Sequence, residues 1–246
     1  MLIGLDRPVR PEWVYELLKM VEIGTAPDQY YLPFETLAAQ LTGKEGKRKV
    51  RTIIFRSFIY SFQQNNKHIL PNPLIELVQS RDVDFMRPIF LAKLIFDYQI
   101  CQRIVPKFQL YKNKNHEISL QLITKKMVSE YGDRDVVKRS VRSAIRTFSY
   151  FKAVRMADKT AIIQNTPAVI CPEQWKTVLK LYAGFYLNSH VIDLDTFNED
   201  LFFFLAKDDN FHDAVREYHG KDWEYIRDHS RNLLFVKSLA TNLKES

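Results

Sequence analysis

The sequence predicts a mainly α-helical protein in three parts: a helical N-terminal bundle, a central helical module that carries a small β-hairpin, and a helical C-terminal region. Three observations predict this class. Apolar residues recur at helical spacing along most of the chain. Proline and glycine clusters interrupt that spacing at only a few places. Two short apolar stretches with a polar turn between them occur once, near residues 154–163.

The N-terminal part is predicted to span residues 1–72 and to be a helical bundle. Pro11 suits the first position of a helix over residues 11–23, and Gly24 suits its end. Further helices are expected over residues 34–41 and 44–62. The run Pro71-Asn72-Pro73 disfavours helix, so it marks the boundary with the central part.

The central part is predicted to span residues 73–166. A long apolar helix is expected over residues 88–104, ended by Pro106. Ser119 is a suitable N-cap for the next helix, and Gly132 is well placed to terminate it. A second helix then starts at Asp133 or Asp135, and the apolar stretches follow it as a hairpin.

The C-terminal part, residues 167–246, begins at Pro167 and is predicted to be a helical region. Its apolar residues suggest four helices. The expected ranges are 173–187, 195–206, 211–217 and 223–243.

The positive charge lies in the central part. The 246 residues carry a formal net charge of +7, which divides into +2 for residues 1–102, +9 for residues 103–159 and −4 for residues 160–246. A basic segment between a near-neutral one and an acidic one is typical of a module that faces a polyanion.

The second helix of the central part separates its charges from its apolar residues. At about 100° per residue, its apolar positions occupy one sector and its cations the opposite one. The apolar positions are Val137, Val141, Ala144, Ile145 and Phe148, and the cations are Lys138, Arg139, Arg142 and Arg146. Like charges four residues apart repel each other, so a phosphate backbone is the natural partner for this face.

A capped helix, a tight turn, a basic helix and a hairpin follow the order of a winged helix-turn-helix, in which the second helix enters the DNA major groove. The predicted contacts with double-stranded DNA begin at Arg134 and continue along the basic helix, and Arg155 and Lys159 extend them onto the hairpin, or wing. A second basic cluster could extend the same surface. That cluster contains Lys47, Arg48, Lys49 and Arg51.

Other interpretations of the same pattern stay open. A basic helix face is often simply solvated, and winged helices also bind proteins, so the chain could be an adaptor or scaffold, or a transcriptional regulator. No phosphate-binding loop, calcium loop or short metal-ligand pair is recognisable, which argues against an enzyme and against a cofactor or metal. We expect no small-molecule substrate and no membrane partner, and we expect a cytoplasmic location because no signal peptide is recognisable.

The order of these parts resembles the A component of BREX bacteriophage-defence systems. The resemblance rests on Arg10-Pro11-Glu12-Trp13 at the first helix, on the run Gly43-Lys44-Glu45-Gly46-Lys47-Arg48-Lys49, and on Arg139-Ser140-Val141-Arg142. It implies a small bacterial DNA-binding protein whose N-terminal bundle is similar to an RNA antitermination factor. It also implies other phage-defence proteins as partners, and it supplies no catalytic residues.

Overall fold

A computed structural model describes residues 4–41, 43–63, 67–111, 117–157, 161–197, 199–227 and 231–237. The described part is mainly helical, as the sequence predicts, and it also contains two small antiparallel sheets. The α-helices are α1 (Pro11–Met20), α2 (Tyr31–Leu37), α3 (Lys44–Phe58), α4 (Pro73–Ser80), α5 (Val83–Asp97), α6 (Gln99–Tyr111), α7 (Leu120–Tyr131), α8 (Asp135–Tyr150), α9 (Pro172–Leu181) and α10 (Asp209–Glu217).

Each sheet has three strands, and all neighbouring strands are antiparallel. The strands are β1 (Glu117–Ser119), β2 (Val154–Met156), β3 (Ala161–Gln164), β4 (Val191–Asp193), β5 (Trp223–Arg227) and β6 (Asn232–Val236). The first sheet has the order β1-β3-β2, with Ile118 and Met156 both opposite Ile162. The second has the order β4-β6-β5, with Leu234 opposite both Ile192 and Tyr225.

At residues 71–73, where the sequence predicts the boundary between the N-terminal and central parts, a helix begins. The Asn72 side chain accepts hydrogen bonds from the backbone N–H groups of Leu74 and Ile75, at 2.9 and 3.1 Å, and so caps α4. However, α1 packs against both α4 and α5, and one cluster of buried apolar side chains includes residues from all three predicted parts. The division into domains at residues 72 and 166 stays a prediction.

The prediction of a single helix over residues 88–104 is wrong, because two helices, α5 and α6, occupy this stretch. Helix α5 begins earlier, at Val83, ends at Asp97, and is followed by extended backbone at the buried Tyr98. Helix α6 then passes through Pro106 to Tyr111, so the proline does not end the helix, although it removes one hydrogen bond and crowds the carbonyl four residues earlier. The side chain of Gln102 donates to the Phe96 carbonyl at 2.8 Å, which provides a partner for a carbonyl beside the break.

The prediction of a helical C-terminal region is wrong for two of its four expected helices. Within residues 195–206 the only regular element is a 3-10 turn over Glu199–Phe202, as far as the described residues show. The described part of 223–243 forms β5 and β6 instead of a helix. Leu234 and Val236 are buried while Phe235 is exposed, so the pattern has the period of two that a strand gives.

The helix predicted over residues 173–187 is α9 followed by a π-helical segment over Tyr182–Leu187. The predicted helix at 211–217 is confirmed within α10.

Candidate nucleic-acid interface

The two helices predicted on either side of residues 132–134 begin and end where the sequence predicts. Ser119 caps α7, because its Oγ accepts a hydrogen bond from the Leu122 N–H at 3.3 Å. Gly132 ends α7 with a φ of 87°, a conformation that favours glycine. Helix α8 starts two residues after Asp133, with Arg134 as its N-cap residue. The two helices pack against each other, and α6 packs against both.

Helix α8 has three faces. Its apolar face, which contains Val141, Ala144 and Phe148, is buried. A second face is a stripe of small hydroxyl residues, and these are buried as well: Ser140, Ser143 and Thr147. The third face carries Arg139, Arg142 and Arg146, and all three are exposed. The sequence predicts the first and third faces but not the second.

The hydroxyl stripe lies under the N-terminal segment, residues 4–10. The Val9 N–H donates to Oγ1 of Thr147 at 3.0 Å. A Cβ at Gly4 would lie 2.7 Å from Oγ of Ser140, so the backbone approaches α8 as closely as a glycine allows. The Arg10 guanidinium lies 4.6 Å from the centre of the Tyr150 ring. The segment therefore runs along α8 from Ser140 to Tyr150.

Arg7 of this segment joins the helix arginines in one groove. The arginine groove, as we call it, is defined by Arg7, Arg139, Arg142 and Arg146, has a volume of about 780 Å³, and has no carboxylate among its lining residues. The Nε of Arg7 is buried and has no hydrogen-bond partner among the described residues. Because four guanidinium groups and no carboxylate line the arginine groove, it suits an anionic ligand.

The helix arginines differ from Lys138 on the same helix. Arg139, Arg142 and Arg146 form no ion pair within the described part of the chain. Lys138 instead pairs with Asp133 at 2.5 Å, and this hydrogen bond raises the pKa of the lysine. The internal partner makes Lys138 less available to a phosphate than the three arginines.

Arg134 does not line the arginine groove. Its Nη2 donates to the carbonyl of Tyr131 at 2.9 Å, at the end of α7. Its side chain lines a separate cavity with Arg56 and Val137. The structure therefore places Arg134 at the turn between the helices and away from the groove.

The second basic cluster, on α3, is largely paired with acidic residues. Arg48 bonds to Glu45 at 2.8 Å, and Lys49 lies 3.5 Å from the same carboxylate. The hydrogen bond from Arg48 is the main cause that lowers the pKa of Glu45 to about 2. Arg51 bonds to Glu35 at 2.8 Å and stacks on the Tyr31 ring, with 4.2 Å between the guanidinium and the ring centre.

Lys47 is half-buried and has no ion pair among the described residues. Neither Lys47 nor the other three cations of the cluster line the arginine groove. The structure therefore does not bring the α3 cluster together with the arginines of α8.

The hairpin predicted after α8 is formed by β2 and β3, where Arg155 lies opposite Ile163. Arg155 is exposed but does not line the arginine groove, whereas its neighbour Met156 does. Lys159 lies outside the described residues. The sequence does not reveal Arg7 and Met156 as groove residues, because no periodic pattern relates them to α8.

The described part of the chain contains no group of three or more His, Cys, Asp or Glu side chains that could hold a metal ion. None of its helices combines the length and the apolar character that crossing a bilayer requires.

Comparison with protein-family models, with curated proteins and with solved structures found no match. The resemblance to the BREX component is therefore still a prediction from the sequence motifs.

Proposed function

We propose that this protein binds double-stranded DNA without catalysing a reaction, with α8 as the recognition helix. One observation carries the proposal. Three exposed arginines lie on one face of α8, they have no acidic neighbour in their groove, and Arg7 of the N-terminal segment adds a fourth arginine to its lining. Phosphate oxygens supply the charge and the acceptors that this arrangement lacks.

The order of elements supports a winged helix-turn-helix. Helix α6, strand β1, helices α7 and α8, and strands β2 and β3 follow one another, and the sheet has the order β1-β3-β2. Winged helix-turn-helix domains have this order of helices and strands. In such a domain α8 would enter the major groove, and the hairpin of β2 and β3 would contact the neighbouring backbone.

The size of α8 fits the DNA major groove. An α-helix with its side chains is about 10–12 Å across, and the major groove is about 12 Å wide and admits one α-helix. Arg139 and Arg146 are seven residues apart, so the arginine face extends about 10 Å along the helix axis. Arg142 and Arg146 are four residues apart on the same helix and repel each other, so bound phosphates would relieve that repulsion.

The resemblance to the BREX component extends the proposal to a biological setting. We propose that the DNA-binding protein acts in bacterial phage defence, beside other proteins of such a system. A pull-down from cells that express a complete BREX system, followed by mass spectrometry, tests this part. Recovery of the defence proteins is the expected result, and their absence contradicts it.

The DNA proposal is tested with the double variant Arg142→Glu/Arg146→Glu, measured by fluorescence anisotropy on random duplex DNA. Each phosphate contact contributes about 0.9 to the slope of log K against log salt, so we expect the slope to fall by roughly 2. The matched control is Arg216→Glu/Arg227→Glu, which changes the net charge equally at two exposed arginines outside the arginine groove. We expect the control to keep a slope within about 1 of the wild type.

Two outcomes contradict the proposal. The first is a double variant that binds duplex DNA as tightly as the wild type between about 50 and 200 mM salt. The second is a wild-type protein that binds heparin but not duplex DNA, which would favour the adaptor function instead. In that case the positive charge would steer association with an acidic protein partner.

A further inference from the structure

A second cavity, of about 540 Å³, lies between the end of α3, the end of α5 and the π-helical segment that follows α9. We name it the aromatic cavity, because four aromatic and two charged side chains line it: Tyr60, Phe96, Phe185, Tyr186, Arg56 and Asp97. Sites that bind small molecules have volumes of about 300–1,000 Å³ and mostly apolar walls with a few polar groups. The aromatic cavity fits this description, and it shares no lining residue with the arginine groove.

The rings of the wall are held in place without a ligand. The hydroxyl groups of Tyr60 and Tyr31 are hydrogen-bonded at 2.7 Å, and the Tyr186 ring stacks on that of Tyr182 with 5.2 Å between the centroids. Tyr60, Phe185 and Tyr186 are each half-buried, so part of every ring is packed and part stays accessible. A wall that is already ordered loses little side-chain freedom when a ligand binds, which favours binding.

The backbone of the wall is unusual as well. Phe185 and Tyr186 belong to the π-helical segment Tyr182–Leu187, and π-helical turns are rare and frequent at functional sites. The segment ends at Asn188, whose φ of 48° is in the left-handed region, and this residue also lines the cavity. Uncommon backbone geometry beside a cavity supports a functional role for that cavity.

The two charged residues of the lining differ in how their charges are balanced. Asp97 is nine-tenths buried, and both of its carboxylate oxygens accept hydrogen bonds from the fully buried Nζ of Lys93 at 2.6 Å. Arg56 is exposed and forms no ion pair within the described part of the chain. Asp6 lines a neighbouring cavity together with Arg56, but the two are not ion-paired. The aromatic cavity therefore has one uncompensated positive charge, at Arg56.

One guanidinium group beside aromatic rings defines the chemistry of a ligand. The parallel N–H donors of an arginine match the two oxygens of one carboxylate. A phosphate monoester carries about two negative charges, and the cavity has no second cation among its lining residues to balance them. The accessible rings favour an aromatic ring on the ligand, packed edge-on or with an offset.

We infer that the aromatic cavity binds a small aromatic carboxylate. The carboxylate pairs with Arg56, and the ring packs against Tyr60, Phe185 and Tyr186. This site does not depend on the proposed DNA-binding function.

The experiment titrates the full chain, without DNA, with three probes and measures amide chemical shifts by NMR. The probes are 3-phenylpropionate, its neutral analogue 3-phenylpropionamide, and propionate, which lacks the ring. We expect 3-phenylpropionate to bind and to shift the amide signals of Gly184 and Asn188, which line the cavity. The amide analogue should bind on the order of fivefold more weakly, because it lacks the charge that pairs with Arg56. Propionate should not bind measurably.

The variant Arg56→Gln tests the residue that recognises the carboxylate. It should lower the affinity for 3-phenylpropionate to that of the amide analogue, and it should leave the affinity for the amide analogue unchanged. A purely structural effect of the substitution would instead weaken both ligands. Arg103→Gln, at an exposed arginine of α6 outside the aromatic cavity, is the matched control and should keep the affinity of the wild type.

Four results overturn the inference. The first is that 3-phenylpropionate does not bind, and the second is that the wild type binds the amide analogue or propionate as tightly. The third is an equal affinity for 3-phenylpropionate in Arg56→Gln and Arg103→Gln. The fourth is a set of chemical-shift changes confined to residues of the arginine groove, which would place the anion there and not in the aromatic cavity.

Discussion

The Nζ of Lys93 lies 2.6 Å from both carboxylate oxygens of Asp97, one helical turn further along α5. The lysine side chain has no solvent exposure, and its Nζ also lies 3.7 Å from the centre of the Phe185 ring. Burial lowers the pKa of Lys93 and raises the pKa of Asp97, so it opposes charge on both groups. Their mutual attraction is what stabilises the two charges in the interior.

Removing one member of this pair should destabilise the protein strongly. We expect Lys93→Met to lower the free energy of unfolding by about 3–5 kcal/mol, because Asp97 would remain as a buried charge without a partner. The double variant Lys93→Met/Asp97→Leu removes both charges and should recover most of the loss. Urea denaturation of the three proteins measures this. A double variant as unstable as Lys93→Met contradicts the explanation.

Single substitutions in the arginine groove should have similar effects on DNA binding. We expect Arg7→Ala, Arg139→Ala, Arg142→Ala and Arg146→Ala each to reduce the salt slope by about 1, because each removes one phosphate contact. Arg48→Ala and Lys138→Ala should change the slope less, since each cation has an internal carboxylate partner. Anisotropy titrations at several salt concentrations measure the slopes. If the salt slope falls equally in the four groove variants and in these two variants, the arginine groove is not the DNA-binding surface.

The packing of the N-terminal segment on α8 should depend on the hydroxyl group of Thr147. We expect Thr147→Val to lower the free energy of unfolding by about 1–3 kcal/mol, because the buried Val9 N–H would lose its acceptor. Thr147→Ser keeps the hydroxyl and is the matched control, with a smaller loss. Chemical denaturation measures both variants. If Thr147→Ser is the less stable of the two variants, the hydrogen bond to the Val9 N–H is not the main contribution of Thr147 to stability.

Thr147→Val should also weaken DNA binding, although Thr147 is buried beneath the surface. Val9 lies two residues from Arg7, so loosening the segment moves Arg7 out of the arginine groove. We expect Thr147→Val to approach the salt slope of Arg7→Ala, while Thr147→Ser keeps that of the wild type. If Thr147→Val keeps the salt slope of the wild type, the hydrogen bond between Val9 and Thr147 is not needed to hold Arg7 in the arginine groove.

The two cysteines should differ in reactivity. Cys101 is fully buried, and burial raises the pKa of its thiol well above the usual range, whereas Cys171 is half-buried. We expect iodoacetamide to modify Cys171 in the native protein and to spare Cys101 until the chain unfolds. Peptide mass spectrometry after timed labelling measures this, with Cys171→Ser as the control that abolishes native labelling. Comparable labelling of Cys101 in the native state would contradict its burial.

The sequence by itself determines the local elements of the central part. Ser119 and Gly132 bound α7, and the spacing of Val137, Val141 and Phe148 defines the buried face of α8, as predicted. Both signals act within a few residues along the chain. Caps and helical periodicity depend on local geometry, so they can be recognised without knowing what the helix packs against.

Where packing against distant parts of the chain decides the conformation, the sequence is less informative. Tyr98 interrupts the helix predicted over residues 88–104, and residues 223–227 and 232–236 are strands where a helix was expected. Short apolar stretches fit a buried helix or a buried strand equally well. Their tertiary partners, β4 and the carbonyl of Val215 among them, determine which one forms.

Tertiary structure alone decides which cations share a surface. The sequence places four cations on the exposed side of α8 and a second basic cluster on α3, but the ion pair of Arg51 with Glu35 forms only because α2 packs against α3. Arg7, 132 positions before Arg139, reaches the groove because the N-terminal segment packs on the hydroxyl stripe of α8. Charge counts along the chain record composition, whereas attraction and repulsion between side chains depend on distance in space.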